Sequence, residues 1–246
     1  MASSPARDDR AIRVSADSAA VPLAALDAAL KSTLPMARIE VSSLPGCESI
    51  ALGLINGDFP LGPLPHDVML AVLARPAYWS FCWGSGLALA RYLLERPEIV
   101  RGRSIVDVGA GSGVVAIAAK RAGARRVIAC DNDAAARVAI AANAALNDAK
   151  VEIACSIDAV EPGHDVALLA DVLYDRENLA PARSARGGLL DAAIARADET
   201  LVADSRLTTL DRDDFTLVAE IHARTFPNLG EFDRYATVRL FRNSLR

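Results

Sequence analysis

Aromatic side chains are scarce in this chain, at 5% of 246 residues, with two tryptophans, Trp79 and Trp83. Histidine is scarcer, at three, and the four cysteines (Cys47, Cys82, Cys130 and Cys155) stand far apart. No CxxC pair occurs, and no cysteine joins His66, His164 or His222 at metal-ligand spacing, so no metal site is expected. Disulfides are not required, because a chain of this length can bury most of its apolar surface unaided. Cys130 and Cys155 fall in apolar runs that read as strands, where reduced cysteine behaves as a small buried hydrophobe. That usage suits a reducing compartment. Apolar runs of the roughly 20 residues that cross a bilayer are absent, and Met1–Arg10 leads into no secretory-type apolar core. A net charge of −4 lacks the basic excess typical of nucleic-acid binders. The expectation is a soluble, cytoplasmic protein with no nucleic-acid, membrane or metal partner.

What the chain does have is 52% hydrophobic and 24% charged residues, the balance of a globular α/β domain with an extension. Residues 1–75 read as an N-terminal cap: a polar start, a helix over Pro22–Leu34, a strand over Ala37–Ser42 and a Pro/Gly loop over Asn56–Asp67. Residues 76–246 read as the main domain. There Leu87, Ala90, Leu93 and Leu94 make a helical face that stops at Pro97. Strands are expected at Ser104–Val108, Arg126–Cys130, Val151–Ala154, Asp165–Ala170 and Thr200–Ala203. Helices are expected at Val114–Ala122, Ala134–Leu146 and Ala185–Ala197. Alternation of this kind predicts a parallel sheet with right-handed crossovers. Thr216–Ala223 and Tyr235–Phe241 then read as a closing antiparallel hairpin, which completes seven strands.

The most informative run is Ile105-Val106-Asp107-Val108-Gly109-Ala110-Gly111-Ser112-Gly113, a buried strand entering a glycine loop that opens a helix. Glycines let such a loop turn sharply and approach a ligand at the carboxyl end of the sheet. The dinucleotide pattern needs a small residue three places after the second glycine, and Val114 stands there; a P-loop's Gly-Lys-Ser/Thr ending is absent too. Asp131 ends the second strand some twenty residues on, in register to accept both hydroxyls of a ribose. Asn132 beside it is a further cofactor candidate, although Asn132 and Asp133 also suit the N-cap of the helix starting near Ala134.

Asp107-Val-Gly109-Ala-Gly111-Ser-Gly113 resembles the first motif of the class I, seven-strand S-adenosylmethionine-dependent methyltransferases. The resemblance implies a doubly wound, Rossmann-like seven-stranded sheet whose last strand is antiparallel, with an N-terminal cap extension. It implies S-adenosyl-L-methionine as cofactor, its methionine part wrapped by Asp107, Gly109, Gly111 and Gly113. The adenine would lie after the third strand, at Ser156 and Ile157, with Asp158 two places late for that role. Asp171-x-x-Tyr174, after the fourth strand, is similar to the Asp-x-x-Tyr/Phe motif of the seven-strand protein lysine methyltransferases.

Three further stretches narrow the likeness: Pro76–Gly86 with its helix, Asp171–Ala180, and Ala203-Asp204-Ser205-Arg206. Together they look like the lysine methyltransferases of the electron-transfer flavoprotein β subunit and their bacterial relatives, over roughly Ala77 to Arg206. Ser205-Arg206 departs from that family's Pro-Gly-Arg run. The resemblance sets Trp83 against the cofactor, while Trp79 reads as an anchor between cap and sheet. It implies a flavoprotein β subunit as protein partner, with Asp171 and Tyr174 as catalytic residues.

Physical chemistry gives those two residues work to do. A lysine amine, with an unperturbed pKa near 10.4, arrives protonated and without a lone pair. Asp171 would orient the amine and receive or relay its proton, and Tyr174 would wall the lysine channel. Rival readings are a small-molecule amine methyltransferase acting on a nicotinamide-like ring, a methyltransferase of another protein such as a ribosomal one, and a non-catalytic cofactor-binding domain. The methyltransferase alternatives differ in the acceptor, and the intact Asp107, Gly109, Gly111, Asp131 and Asp171 argue against the non-catalytic one.

Overall fold

Ile105, Val106 and Val108 are apolar, β-branched and almost wholly buried, and they set the centre of the sheet. The structure is a computed structural model that describes residues 23–60, 62–173, 188–228 and 236–244. Seven strands form the main sheet: β3 (Ser104–Val108), β4 (Arg126–Cys130), β5 (Glu152–Ala154), β6 (His164–Ala170), β7 (Ala197–Asp204), β8 (Thr216–His222) and β9 (Thr237–Ser244). Their spatial order is β5-β4-β3-β6-β7-β9-β8. The first five strands of that order run parallel, while β9 pairs antiparallel with both β7 and β8. Strand order therefore reverses between β3 and β6, which opens a crevice at their carboxyl ends where an α/β sheet takes its ligand.

Alternation along β3 divides the core. Ile105 points to a cluster with α3 (Gly84–Glu95) and α4 (Val114–Arg121), while Val106 and Val108 point to the opposite cluster. That second cluster includes Leu190 and Ala193 of α6 (Leu189–Ile194). Arg126 and Glu152 brace the outer strands with a bidentate pair at 2.9 and 2.7 Å.

The front region has more structure than its composition suggests. A hairpin of β1 (Ile39–Leu44) and β2 (Cys47–Ile55) follows α1 (Leu23–Lys31) and precedes α2 (His66–Ala74). Ile50, Leu52 and Leu54 of β2 are wholly buried in the main core. α1 lays Leu26 and Leu30 against Ala136, Ala139 and Ala142 of α5 (Ala134–Leu146), whose alanines permit close approach. The strand over Cys47–Ile55 was not expected, because Gly53 and a mixed polar start blur its alternation. The helix over His66–Ala74 displaces the end of the expected Asn56–Asp67 loop. It carries no buried residue and so shows no two-faced pattern.

A second correction concerns Cys155, which is exposed just past β5 and not part of a buried strand; Cys130 is buried as expected. Among the described residues no helix is long and apolar enough to cross a membrane. No group of three or more His, Cys, Asp or Glu among them could hold a metal ion.

Candidate active site

The glycine loop is stitched to the end of β4. Gly109 and Ala110 N–H groups both donate to the Cys130 carbonyl, at 2.9 and 3.1 Å. Gly111 N–H donates to Asp131 Oδ2 at 2.9 Å. Gly109 has φ +68°, and a Cβ there would collide with Val172 Cγ1, so only glycine fits both the turn and the space.

Asp107 lies beneath this loop and not on its surface. It is 1% exposed, and its Oδ2 accepts from Ala116 N at 3.0 Å. The N-cap of α4 is Gly113, a left-handed residue with no side chain to cap the helix. Asp107 therefore caps the first turn of α4 from the neighbouring strand. Burial pushes its carboxyl up to about 7. Gly113, too, lies behind the loop: its Cβ would stand 3.3 Å from Ile140 Cα, so glycine lets α5 come close.

A cavity of about 510 Å³ opens above the loop. Gly109, Gly111, Asp131, Asn132, Ser156 and Ile157 line one side of it, and Asp171 and Trp83 also face it. Of the expected cofactor set, only Asp107 and Gly113 fall outside the lining. Asp131 Oδ1 accepts from Asp133 N at 2.9 Å, so each of its oxygens holds one backbone donor and keeps acceptor capacity for a ligand. Burial raises its pKa. Asp133, not Asn132, caps α5, accepting from Ala135 N at 2.9 Å, which leaves the Asn132 side chain to the cavity. Asp158 reaches the rim but is paired with Arg196 at 3.2 Å. Trp83 Nε1–H donates to the Tyr78 carbonyl at 2.8 Å, and its ring meets the Tyr78 ring edge-on at 5.8 Å. Trp79 is 2% exposed; it packs with α1 and α5 and also touches the cavity.

Asp171 occupies the end of β6 with φ +52°, a left-handed conformation that Asp tolerates better than most residues. Its N–H donates to the Ala203 carbonyl at 3.1 Å. Its Oδ2 accepts from Ser85 N at 3.0 Å and its Oδ1 from Ser85 Oγ at 2.6 Å. The carboxylate thereby caps α3, whose own N-cap residue, Trp83, makes no capping bond with its side chain. Burial nevertheless pushes Asp171 up to about 6, against these two hydrogen bonds and with the Asp204 charge adding to the rise. Asp204 ends the adjacent strand β7, is 0% exposed and is itself raised by burial. Arg206 N and Leu207 N donate to its Oδ1, and no donor among the described residues reaches Oδ2. Tyr174 lies outside the described residues. Ser85 was missed in the sequence, although it stands between Gly84 and Gly86, the small residues that start a tightly packed helix.

The strand order, the loop after β3 and the acid after β4 together define the class I S-adenosylmethionine-dependent methyltransferase architecture. Residues 88–190 match the family described as Ribosomal protein L11 methyltransferase (PrmA). The chain is 41% identical over 103 residues to the electron transfer flavoprotein beta subunit lysine methyltransferase of Homo sapiens, covering 41% of this chain and 39% of that one. It is 34% identical over 152 residues to the ribosomal protein L11 methyltransferase of Geobacter sulfurreducens, covering 59% and 49%. The chain thus spans less than half the length of either relative. Among solved structures, the T. Thermophilus 16S rRNA N2 G1207 methyltransferase in complex with AdoMet and guanosine aligns over 85% of this chain and 51% of its own. Its TM-score is 0.51 at 20% identity, a likeness of fold. The chain has the class I methyltransferase fold and is similar to that family over residues 88–190, and its cofactor is S-adenosylmethionine.

The residues present fit that cofactor. The Gly109 and Gly111 backbone forms a cradle that a Cβ at Gly109 would spoil. Asp131, Asp133, Asp158 and Asp171 face the cavity against one guanidinium, Arg206, a balance that favours the cofactor's sulfonium and amino charges.

Proposed function

We propose that this protein is a protein-lysine N-methyltransferase, transferring methyl from S-adenosylmethionine to a lysine ε-amine on an electron-transfer flavoprotein β subunit. The observation that carries the reading is Asp171, a carboxylate at a cavity-facing strand end, fixed by Ser85 and poised near neutrality. The relatives named for lysine methylation add support, and the Asp171-x-x-Tyr174 spacing supports it from the sequence side.

Asp131 holds the ribose hydroxyls, with Asn132, Ser156, Ile157 and Trp83 around the nucleoside. Asp107 and Gly113 keep the loop and α4 in shape. When bound, S-adenosylmethionine supplies the electrophilic methyl group and its own leaving group. The protein's task is alignment, exclusion of water and removal of one proton. Ser85 fixes both oxygens of Asp171, so the carboxylate presents its remaining lone pairs in one orientation. An ammonium entering beside it is partly desolvated, which lowers the amine's pKa and eases proton transfer to Asp171.

Incubation of the purified protein with methyl-labelled S-adenosylmethionine tests this against electron-transfer flavoprotein, a whole-cell protein extract and a metabolite pool. Label on the flavoprotein β subunit is the expected result. Label on a ribosomal protein would retain protein methylation and overturn the named partner. Label confined to a small molecule would overturn protein methylation.

A further inference from the structure

β2 would present an open edge on the side away from β1, a row of unpaired backbone groups. Asn143 of α5 and Asn147 at that helix's C-cap, one turn apart, cover it. Asn147 Oδ1 accepts from Ala51 N at 3.1 Å, and its Nδ2 donates to the Ala51 carbonyl at 2.6 Å. Asn143 Oδ1 accepts from Gly53 N at 2.7 Å. Unlike Asn147, Asn143 also reaches the glycine loop: its Nδ2 donates to the Ser112 carbonyl at 2.8 Å. Asn143 is 0% exposed and Ser112 5%, so water has little access to replace either bond.

The loop has few other internal restraints on that side. Gly113 N–H donates to Ala110 at 2.7 Å, and the remaining bonds tie residues 109–111 to β4. Gly111 and Gly113 both sit at positive φ and flank Ser112, so this peptide is held where backbone freedom is greatest. A single buried amide thus spans from the N-terminal hairpin to the cofactor cradle.

We propose that Asn143 is a positioning residue for the cofactor, coupling the β1–β2 hairpin to the glycine loop, so that the front region is part of the cofactor site's framework. This rests on the cofactor assignment above. It assigns the front region a role in holding cofactor, separate from any contact with the acceptor.

The pair of asparagines provides its own control. The full-length chain, titrated with S-adenosylhomocysteine by calorimetry, gives cofactor-site affinity without turnover. Wild-type binding checks the cofactor assignment separately from the coupling. Asn143→Leu should weaken the Kd by about tenfold, because it leaves a donor and an acceptor buried without partners. Asn147→Leu should lower the melting temperature comparably yet keep the Kd within about twofold, since its bonds reach β2, α5 and Arg121 at the far end of α4 but not the glycine loop. Asn143→Asp, titrated at alkaline pH where its carboxyl is ionised, keeps an acceptor for Gly53 N–H and removes the donor to Ser112, so it breaks the link to the loop. It decides the matter if Asn143→Leu does not fold: a weakened Kd in Asn143→Asp supports the coupling. A wild-type Kd in that variant, or losses of affinity that merely follow loss of melting temperature across all three, would overturn it.

Discussion

Asp171 concentrates the chemistry of the site in one side chain. Asn is its closest replacement: it keeps the shape and tolerates the left-handed φ of +52°, but it cannot take up a proton. Asp171→Asn should therefore lower kcat by about 10²-fold or more while S-adenosylhomocysteine binds with unchanged affinity. In the wild type kcat should fall as pH drops through about 6, where Asp171 takes up a proton; stopped assays across pH 5 to 8 read that limb, which the variant should lack. A second residue-scale test uses the crowding at Gly109. Gly109→Ala should weaken cofactor binding by at least about tenfold, from its positive φ and the clash with Val172. Adding Val172→Ala should recover part of that loss; no recovery in the double variant would place the damage in backbone strain alone.

Residues at strand ends were legible from sequence because a loop, a strand and a fixed spacing located them. Asp131 and Asp171 both reach the cavity for that reason. Asp107 was legible as part of the motif but not in its position. Its sequence neighbours cannot reveal that it turns inward to cap α4 while the glycines face outward. Ser85 and Asn143 carried no signal of their own, since each works through a partner far away in the chain.

At the scale of elements, the β3–α4–β4–α5 unit was readable almost to the residue, because glycines and an N-cap aspartate punctuate it. The expected helix over Ala185–Ala197 shortens to Leu189–Ile194, with residues 185–187 outside the description, and the following strand lengthens to Ala197–Asp204. The front region resisted reading for a different reason. β2 buries most of its residues from both faces, so period-two alternation is lost. α1, by contrast, showed its stripe, and its seat on α5 gives a prediction. Leu26→Ala should destabilise the protein by about 2–4 kcal/mol in denaturant titration, the range for a buried leucine lost from a packed core. A loss below about 1 kcal/mol would mean that α1 is not integral to the folded unit.

Over the whole molecule, buried carboxyls lend stability an unusual pH dependence. Asp107 is raised from 3.8 to about 7 and Asp171 to about 6. Between those values and the unfolded value the folded chain holds more protons than the unfolded one. Their contribution is thus present at the acid end and lost as pH rises through about 6 to 7. His164, whose pKa burial lowers, works in the opposite sense, so the effect is best read by difference. Asp107→Asn retains an acceptor for Ala116 N–H and should gain in melting temperature relative to wild type from pH 5 to pH 8. An offset that does not change with pH would contradict the burial argument.

The same molecule-wide arrangement, a cofactor cradle on one side of the crevice and a fixed carboxylate on the other, defines the central claim of lysine methylation. Its most direct test is mass spectrometry of electron-transfer flavoprotein β subunit after reaction with wild-type protein and with Asp171→Asn. The account predicts methyl groups on lysine ε-nitrogens with the wild type and none above background with the variant. Equal methylation by both, or methyl groups on residues other than lysine, would contradict it.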